Sequence, residues 1–273
     1  MSSGHHPISE IKELTQSIAS CGYRVIAHDR RNCGRSSLSF HSHEHEDEVS
    51  AEDLLALLVS LDVKRAFVVG KSRSARVALR FALHYPDMTQ GVALWGLSGG
   101  AFADKFLNDY YFGQYLRACE MGGMEAVCAL DHFAVVIAER PANRDALMAM
   151  GVQQFISTMD RWRAQFLATS DQPIFGFNDA ELGGIRVPTA IVPYYDRLHP
   201  RASAVHALKT IPGSRLFDFD PSRHHSPSMS AANISDDTAA VAAILCNFFQ
   251  SHRRSRKGTD FLGNLWRKLC VLC

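Results

Sequence analysis

The chain has 273 residues and carries 29 Lys plus Arg against 28 Asp plus Glu, a formal net charge of +1, so no bulk field draws it to nucleic acid, a membrane surface or an acidic substrate. Hydrophobic residues at 47% and charged residues at 21% suit one globular α/β domain with an insertion, or two small domains. Seven cysteines at irregular spacing read as reduced thiols of a cytoplasmic protein rather than a disulfide framework, the first residues show no signal-peptide pattern, and no run of about 18 consecutive apolar residues offers a membrane span.

Taken in order, Ile8, Ile11, Leu14 and Ile18 predict a helix over 8–20 that ends at Cys21-Gly22. A short strand at 23–28 follows, then a loop, then an acidic and His-rich stretch at 41–48 that reads as a second loop. Ser50 with Asp53 predicts the cap of a helix reaching Leu61. The apolar strand 65–69 leads through Gly70 into a helix with an inner stripe of Ala75, Leu79, Ala82 and Leu83 that stops before Pro86. A strand at 91–95 comes next, so the rhythm is that of a parallel sheet covered on both faces. Residues 101–185 turn helical throughout and read as an insertion. After Pro188 the alternation resumes with a strand at 189–195, a helix at 202–211, a strand at 215–219 and a helix at 236–250.

The segment V-V-G-K-S-R-S-A-R at 68–76 carries the chemistry. A strand running through G-x-S-x-small straight into a helix forces the serine outward, with the helix N-terminus aimed at whatever the serine attacks. Ser72 is therefore the candidate nucleophile and the N–H of Arg73 a candidate oxyanion donor. A serine hydroxyl needs a base, and the base an orienting carboxylate. Asp196 follows the strand 189–195, within Y-Y-D-R-L-H-P. His225 lies beyond the strand 215–219, within D-P-S-R-H-H-S-P. Both fall beyond the carboxyl ends of their strands, on the side of the sheet where Ser72 must sit.

With these residues in view, segments 22–37, 63–95, 187–200 and 211–227 resemble the α/β-hydrolase superfamily, especially small esterases and carbon–carbon bond hydrolases with a helical cap. The resemblance implies an α/β-hydrolase fold with a mostly parallel sheet and a helical cap. It divides the chain into 1–100 and 186–251 for the core, 101–185 for the cap and 252–273 for a basic amphipathic tail. It also implies Ser72, Asp196 and His225 as nucleophile, acid and base, with His225 preferred over its neighbour His224. No cofactor or metal is called for. Three further strands are expected ahead of the first helix in this family. Against that pattern the chain reads as truncated at its amino end, with either 23–28 paired directly to 65–69 or an internal edge left open. Residues 3–7 fall on the loop that completes the oxyanion hole, which makes His5 a second candidate donor.

The expected activity is cleavage of a small, largely apolar ester, or of a carbon–carbon bond next to a ketone, through an acyl-enzyme. A catalytically impaired binding module and a cofactor-free perhydrolase or haloperoxidase are the alternatives. His41, His43 and His45 with Glu44 and Glu46 read as a solvated loop rather than a metal site. In the tail, Phe261, Leu262, Leu265, Trp266 and Leu269 share one side of a helix. A helix packed on the body, or a disordered extension, is the preferred reading over membrane contact with acylation of Cys270 or Cys273.

Overall fold

The computed structural model describes residues 7–40, 45–218, 234–252 and 269–272. After a 3-10 turn at Ile8–Ile11, helix α1 (Lys12–Ser20) buries Leu14 and Ile18, together with Ile11 of the turn. Gly22 then takes φ +80° to turn the chain into β1 (Arg24–Ala27). Helix α2 (Glu46–Ser60) begins four residues before the expected Ser50, because His45 caps it by accepting the Asp47 N–H at 3.2 Å. Glu46, Asp47 and Glu48 in its first turn suit the positive end of the helix dipole. The acidic stretch read as loop is thus in part the start of a helix. His41, His43 and Glu44 lie outside the described residues.

The central strands β2 (Ala66–Lys71), β3 (Thr89–Trp95) and β4 (Thr189–Val192) are buried almost throughout, as strands covered on both faces must be. Among the helices between them are α3 (Arg73–His84), α4 (Ala101–Asn108), α5 (Gln114–Cys128), α6 (Asp131–Glu139) and α7 (Ala142–Leu167). The remaining described elements are α8 (Asp179–Gly184), α9 (Arg201–Thr210), β5 (Arg215–Leu216), α10 (Ile234–Ser251) and β6 (Leu269–Leu272). The strands form one sheet in the order β1-β6-β2-β3-β4-β5, and every pairing is parallel.

Two apolar clusters result. The larger lies around the sheet, where Phe67 stacks on Phe249 at 4.5 Å and meets Phe248 edge-on at 6.1 Å. The smaller joins α4 to α7 with Phe40, Phe175 and Leu198. The stretch Ala101–Glu139 is apolar enough to pass for a membrane span by length and composition. It is nevertheless broken by a π turn at Asp109–Gly113 and by non-helical backbone at Gly122 and Gly123.

Three expectations are corrected. Neither proposed solution to the missing strand holds, since β6 fills the place between β1 and β2. Leu269 and Cys270 are therefore buried strand residues and not part of an amphipathic helix or an acylation site, while Phe261, Leu262, Leu265 and Trp266 lie outside the described residues, as does Cys273. Cys21 at the end of α1 and Cys246 in α10 are joined as a disulfide across 6.4 Å between Cα atoms, so the thiols are not all reduced. Cys33, Cys119 and Cys128 are free and buried, and Cys270 is buried within β6. The packing around Phe67 gives a direct check: Phe67→Ala should cost about 3–5 kcal/mol and lower the melting temperature by about 6–20 °C, measured by calorimetry.

Candidate active site

Position 72 is where the chain turns from β2 into α3 with no residue to spare. Ser72 has φ +55° and ψ −123°, a left-handed conformation that costs a non-glycine residue of order 1–3 kcal/mol. Its N–H donates to the Trp95 carbonyl at 2.8 Å, and its own carbonyl accepts the Ala75 N–H at 2.9 Å. The reversal brings β2 against α3 so closely that a Cβ on Gly70 would stand 2.3 Å from the Ser74 carbonyl oxygen. Serine at an N-cap ordinarily accepts from the first-turn N–H groups, but Ser72 makes no such bond.

The partner of the serine hydroxyl is His199, whose Nε2 lies 2.7 Å from Ser72 Oγ. On the other side of the ring, Nδ1 lies 3.0 Å from each carboxylate oxygen of Asp196. A carboxylate only accepts, so Nδ1 carries the proton and Nε2 is left as the acceptor for the serine hydroxyl. Asp196 Oδ1 also receives the N–H groups of Leu198 at 2.8 Å and His199 at 2.7 Å. Burial alone would raise the Asp196 carboxyl; the His199 ring, helped by those two N–H groups, outweighs it and holds the acid below its ordinary value.

Neighbouring rings fix the loop that carries this pair. Tyr194 meets His199 edge-on at 5.6 Å, and Lys71 lies 4.3 Å over the Trp95 ring. Arg197 lies 3.6 Å over Phe102 of α4, which ties the loop to the helical layer.

A second set of charges secures the N-terminal end of α3. Arg73, Arg76 and Arg80 share one side of the helix and face the acidic first turn of α2. Arg73 pairs with Glu46 at 2.5 Å, Arg76 with Asp47 at 2.8 Å and Arg80 with Glu48 at 3.0 Å. Asp47 is 1% exposed. Burial pushes its carboxyl upward, but Arg76 foremost, with His45 and Arg73, holds it far below the ordinary carboxylate range. Burial disfavours the Arg73 charge, yet Glu46 and Asp47 raise its pKa above the ordinary value. A small hollow between this clamp and the helical layer is lined by Glu46, Arg73, Tyr111, Phe112 and Trp162 among others.

Of the residues expected from the sequence, Ser72 and Asp196 are brought to one place, and Arg73 opens α3 beside them. His225, His224 and His5 lie outside the described residues. His199, which the sequence reading passed over, occupies the position facing Ser72. Its signal was present in D-R-L-H-P, where a histidine follows the acid by three residues beyond the carboxyl end of a strand. Among the described residues no group of His, Cys, Asp and Glu is arranged to hold a metal ion.

A parallel sheet, six-stranded among the described residues, with a serine on a strained strand-to-helix turn after β2, joined to an imidazole and a carboxylate that both follow β4, defines an α/β-hydrolase architecture. A family model of the alpha/beta hydrolase fold matches residues 2–115, and the chain has the α/β-hydrolase fold. It is 33% identical over 128 residues to epoxide hydrolase B of Mycobacterium tuberculosis, a match covering 43% of this chain and about a third, 34%, of that relative's length. It is 27% identical over 245 residues to the rhodomycin D methylesterase DauP of Streptomyces sp. (strain C5), covering 79% of this chain and 80% of the relative. Among solved structures, the meta-cleavage product hydrolase CumD of Pseudomonas fluorescens IP01 has the same fold. The TM-score is 0.60 at 15% identity, covering 91% of this chain and 89% of that one.

The clamp predicts a specific pH dependence. Because the folded-state pKa of Asp47 lies below its unfolded value, its stabilisation is complete above about pH 4 and is lost as pH falls toward the folded value. Asp47→Asn leaves Arg76 and Arg73 short of a buried partner and should cost about 3–5 kcal/mol at pH 7. Urea denaturation from pH 7 to pH 3 should show the gap to the unsubstituted protein narrowing only at the acid end.

Proposed function

We propose that the chain is a serine hydrolase that cleaves an ester of a largely apolar acyl group, with Ser72 as nucleophile, His199 as base and Asp196 as the acid that orients it. The observation that carries this reading is the relay from Ser72 Oγ to His199 Nε2 at 2.7 Å and from Nδ1 to Asp196 at 3.0 Å, set on a turn whose backbone is strained to present the hydroxyl. In the reaction, Oγ attacks the ester carbonyl and its proton passes to Nε2. The Nδ1–H bond to Asp196 keeps the ring in the required tautomer and steadies the imidazolium. The Arg73 N–H, in the first turn of α3, receives the developing oxyanion. Return of the proton from Nε2 to the alkoxide releases the alcohol. Water activated by the same nitrogen then frees the acid and regenerates Ser72.

Similarity over about four-fifths of the chain to a methylesterase favours an ester substrate. The match to an epoxide hydrolase covers less of both chains, and a serine at the elbow suits acyl transfer rather than epoxide opening, which in this fold uses an aspartate. The aromatic lining of the helical layer suits an apolar acyl group beneath a lid formed by residues 101–185. His225 as base is the second reading, supported by the resemblance of segment 211–227 to the family's histidine loop.

A fluorophosphonate probe should label the protein and fail to label Ser72→Ala. Absence of labelling on folded protein would leave a binding module as the better description. With a p-nitrophenyl ester, His199→Ala should lower kcat by about 10³-fold or more while His225→Ala leaves it unchanged. The reverse pattern would assign the base to His225. Asp196→Asn should lower kcat by about 10³–10⁴-fold.

A further inference from the structure

Strands β1 and β2 do not pair with each other. Each pairs instead with β6, whose four residues arrive from the far end of the chain. On one side Arg24, Val25, Ile26 and Ala27 stand opposite Leu269, Cys270, Val271 and Leu272. On the other, Phe67, Val68 and Val69 stand opposite Cys270, Val271 and Leu272. All four residues of β6 are 0–2% exposed.

Two features separate β6 from its neighbours in the sheet. The first is connection. It is separated in sequence from His252, at the end of α10, by residues 253–268, which lie outside the described residues. Side-chain fit specifies its register, because a slip of one residue would turn every side chain to the opposite face.

The second is that fit. Cys270 sits in register between Val25 and the fully buried Phe67, so the largest side chain of the row is matched by a small one. Val271 lies between Ile26 and Val68, and Leu272 between Ala27 and Val69. Strand addition to a sheet draws affinity from main-chain hydrogen bonds and selectivity from such alternating side-chain places. Here two facing strands supply both at once.

We propose that the gap between β1 and β2 is a peptide-binding slot that takes an extended apolar–small–apolar–apolar segment in parallel, and that residues 269–272 are its resident ligand, held in cis and replaceable in trans. Leu272 pairs with Val69, three residues ahead of Ser72, so occupancy of the slot also bears on the strand that presents the elbow.

The test uses the full chain carrying Val271→Asp, which sets a charge between Ile26 and Val68 and disables the resident strand. The probe is a fluorescein-labelled peptide K-L-A-V-L, residues 268–272 with Ala in place of Cys270. The variant should melt below the unsubstituted protein, and saturating peptide should raise its melting temperature by about 4–10 °C. Fluorescence anisotropy should show the peptide bound to the variant and not to the unsubstituted chain, whose slot is filled. The same peptide with Asp at the valine position should bind neither. Should the variant fail to fold alone, dilution from denaturant in the presence of K-L-A-V-L should recover soluble monomer. A variant that melts with the unsubstituted protein overturns the proposal. So does a peptide that neither binds, stabilises nor rescues the variant at up to millimolar concentration.

Discussion

Everything distinctive about this molecule follows from the turn at Ser72. A backbone held at φ +55° is unfavourable by itself, so it persists only because the surroundings leave no other course. Its N–H is committed to the Trp95 carbonyl of the adjacent strand. Gly70 lets the following helix lie directly against β2. The arginines along α3 are held by three acids at the start of α2. The hydroxyl is thereby aimed at His199 and makes no cap bond to the helix it opens.

That turn depends in turn on the position of β2, and β2 is an interior strand only because β6 lies on its other side. Parallel strands have no local hairpin to hold them together, so an interior place left vacant would set two rows of peptide groups facing each other without partners. Four apolar residues from the end of the described chain close that gap. The continuity of the sheet, and with it the placement of Ser72, is thus a long-range property. The Cys21–Cys246 disulfide adds another long-range tie, between α1 and α10.

How much of this could be read from the sequence follows from whether each signal was local. The elbow V-V-G-K-S-R-S was legible, because a strand, a small-residue turn and a helix meet within nine residues and the chemistry needs all three. The position of Asp196 was legible for the same reason, as an acid just past an apolar strand. His199 escaped notice because the expected order of the family drew attention to a later loop, whereas an acid and a histidine three apart on one turn satisfy the same geometry. The charge clamp is not local in the sequence: Glu46, Asp47 and Glu48 fall in a stretch that reads as loop, and their partners at 73, 76 and 80 meet them only when α2 and α3 lie side by side. The run L-C-V-L at 269–272 offered a short apolar segment equally compatible with helix and strand, and only the vacancy between β1 and β2 decides between them.

The central claim is that Ser72 is activated by His199 held on Asp196. It is tested most directly by the crystal structure of the protein inactivated with a fluorophosphonate. The account requires phosphorus bonded to Ser72 Oγ, the phosphoryl oxygen on the Arg73 N–H, and the His199 ring between the adduct and Asp196. An adduct on another residue, or another imidazole in that place with His199 turned away, would contradict it.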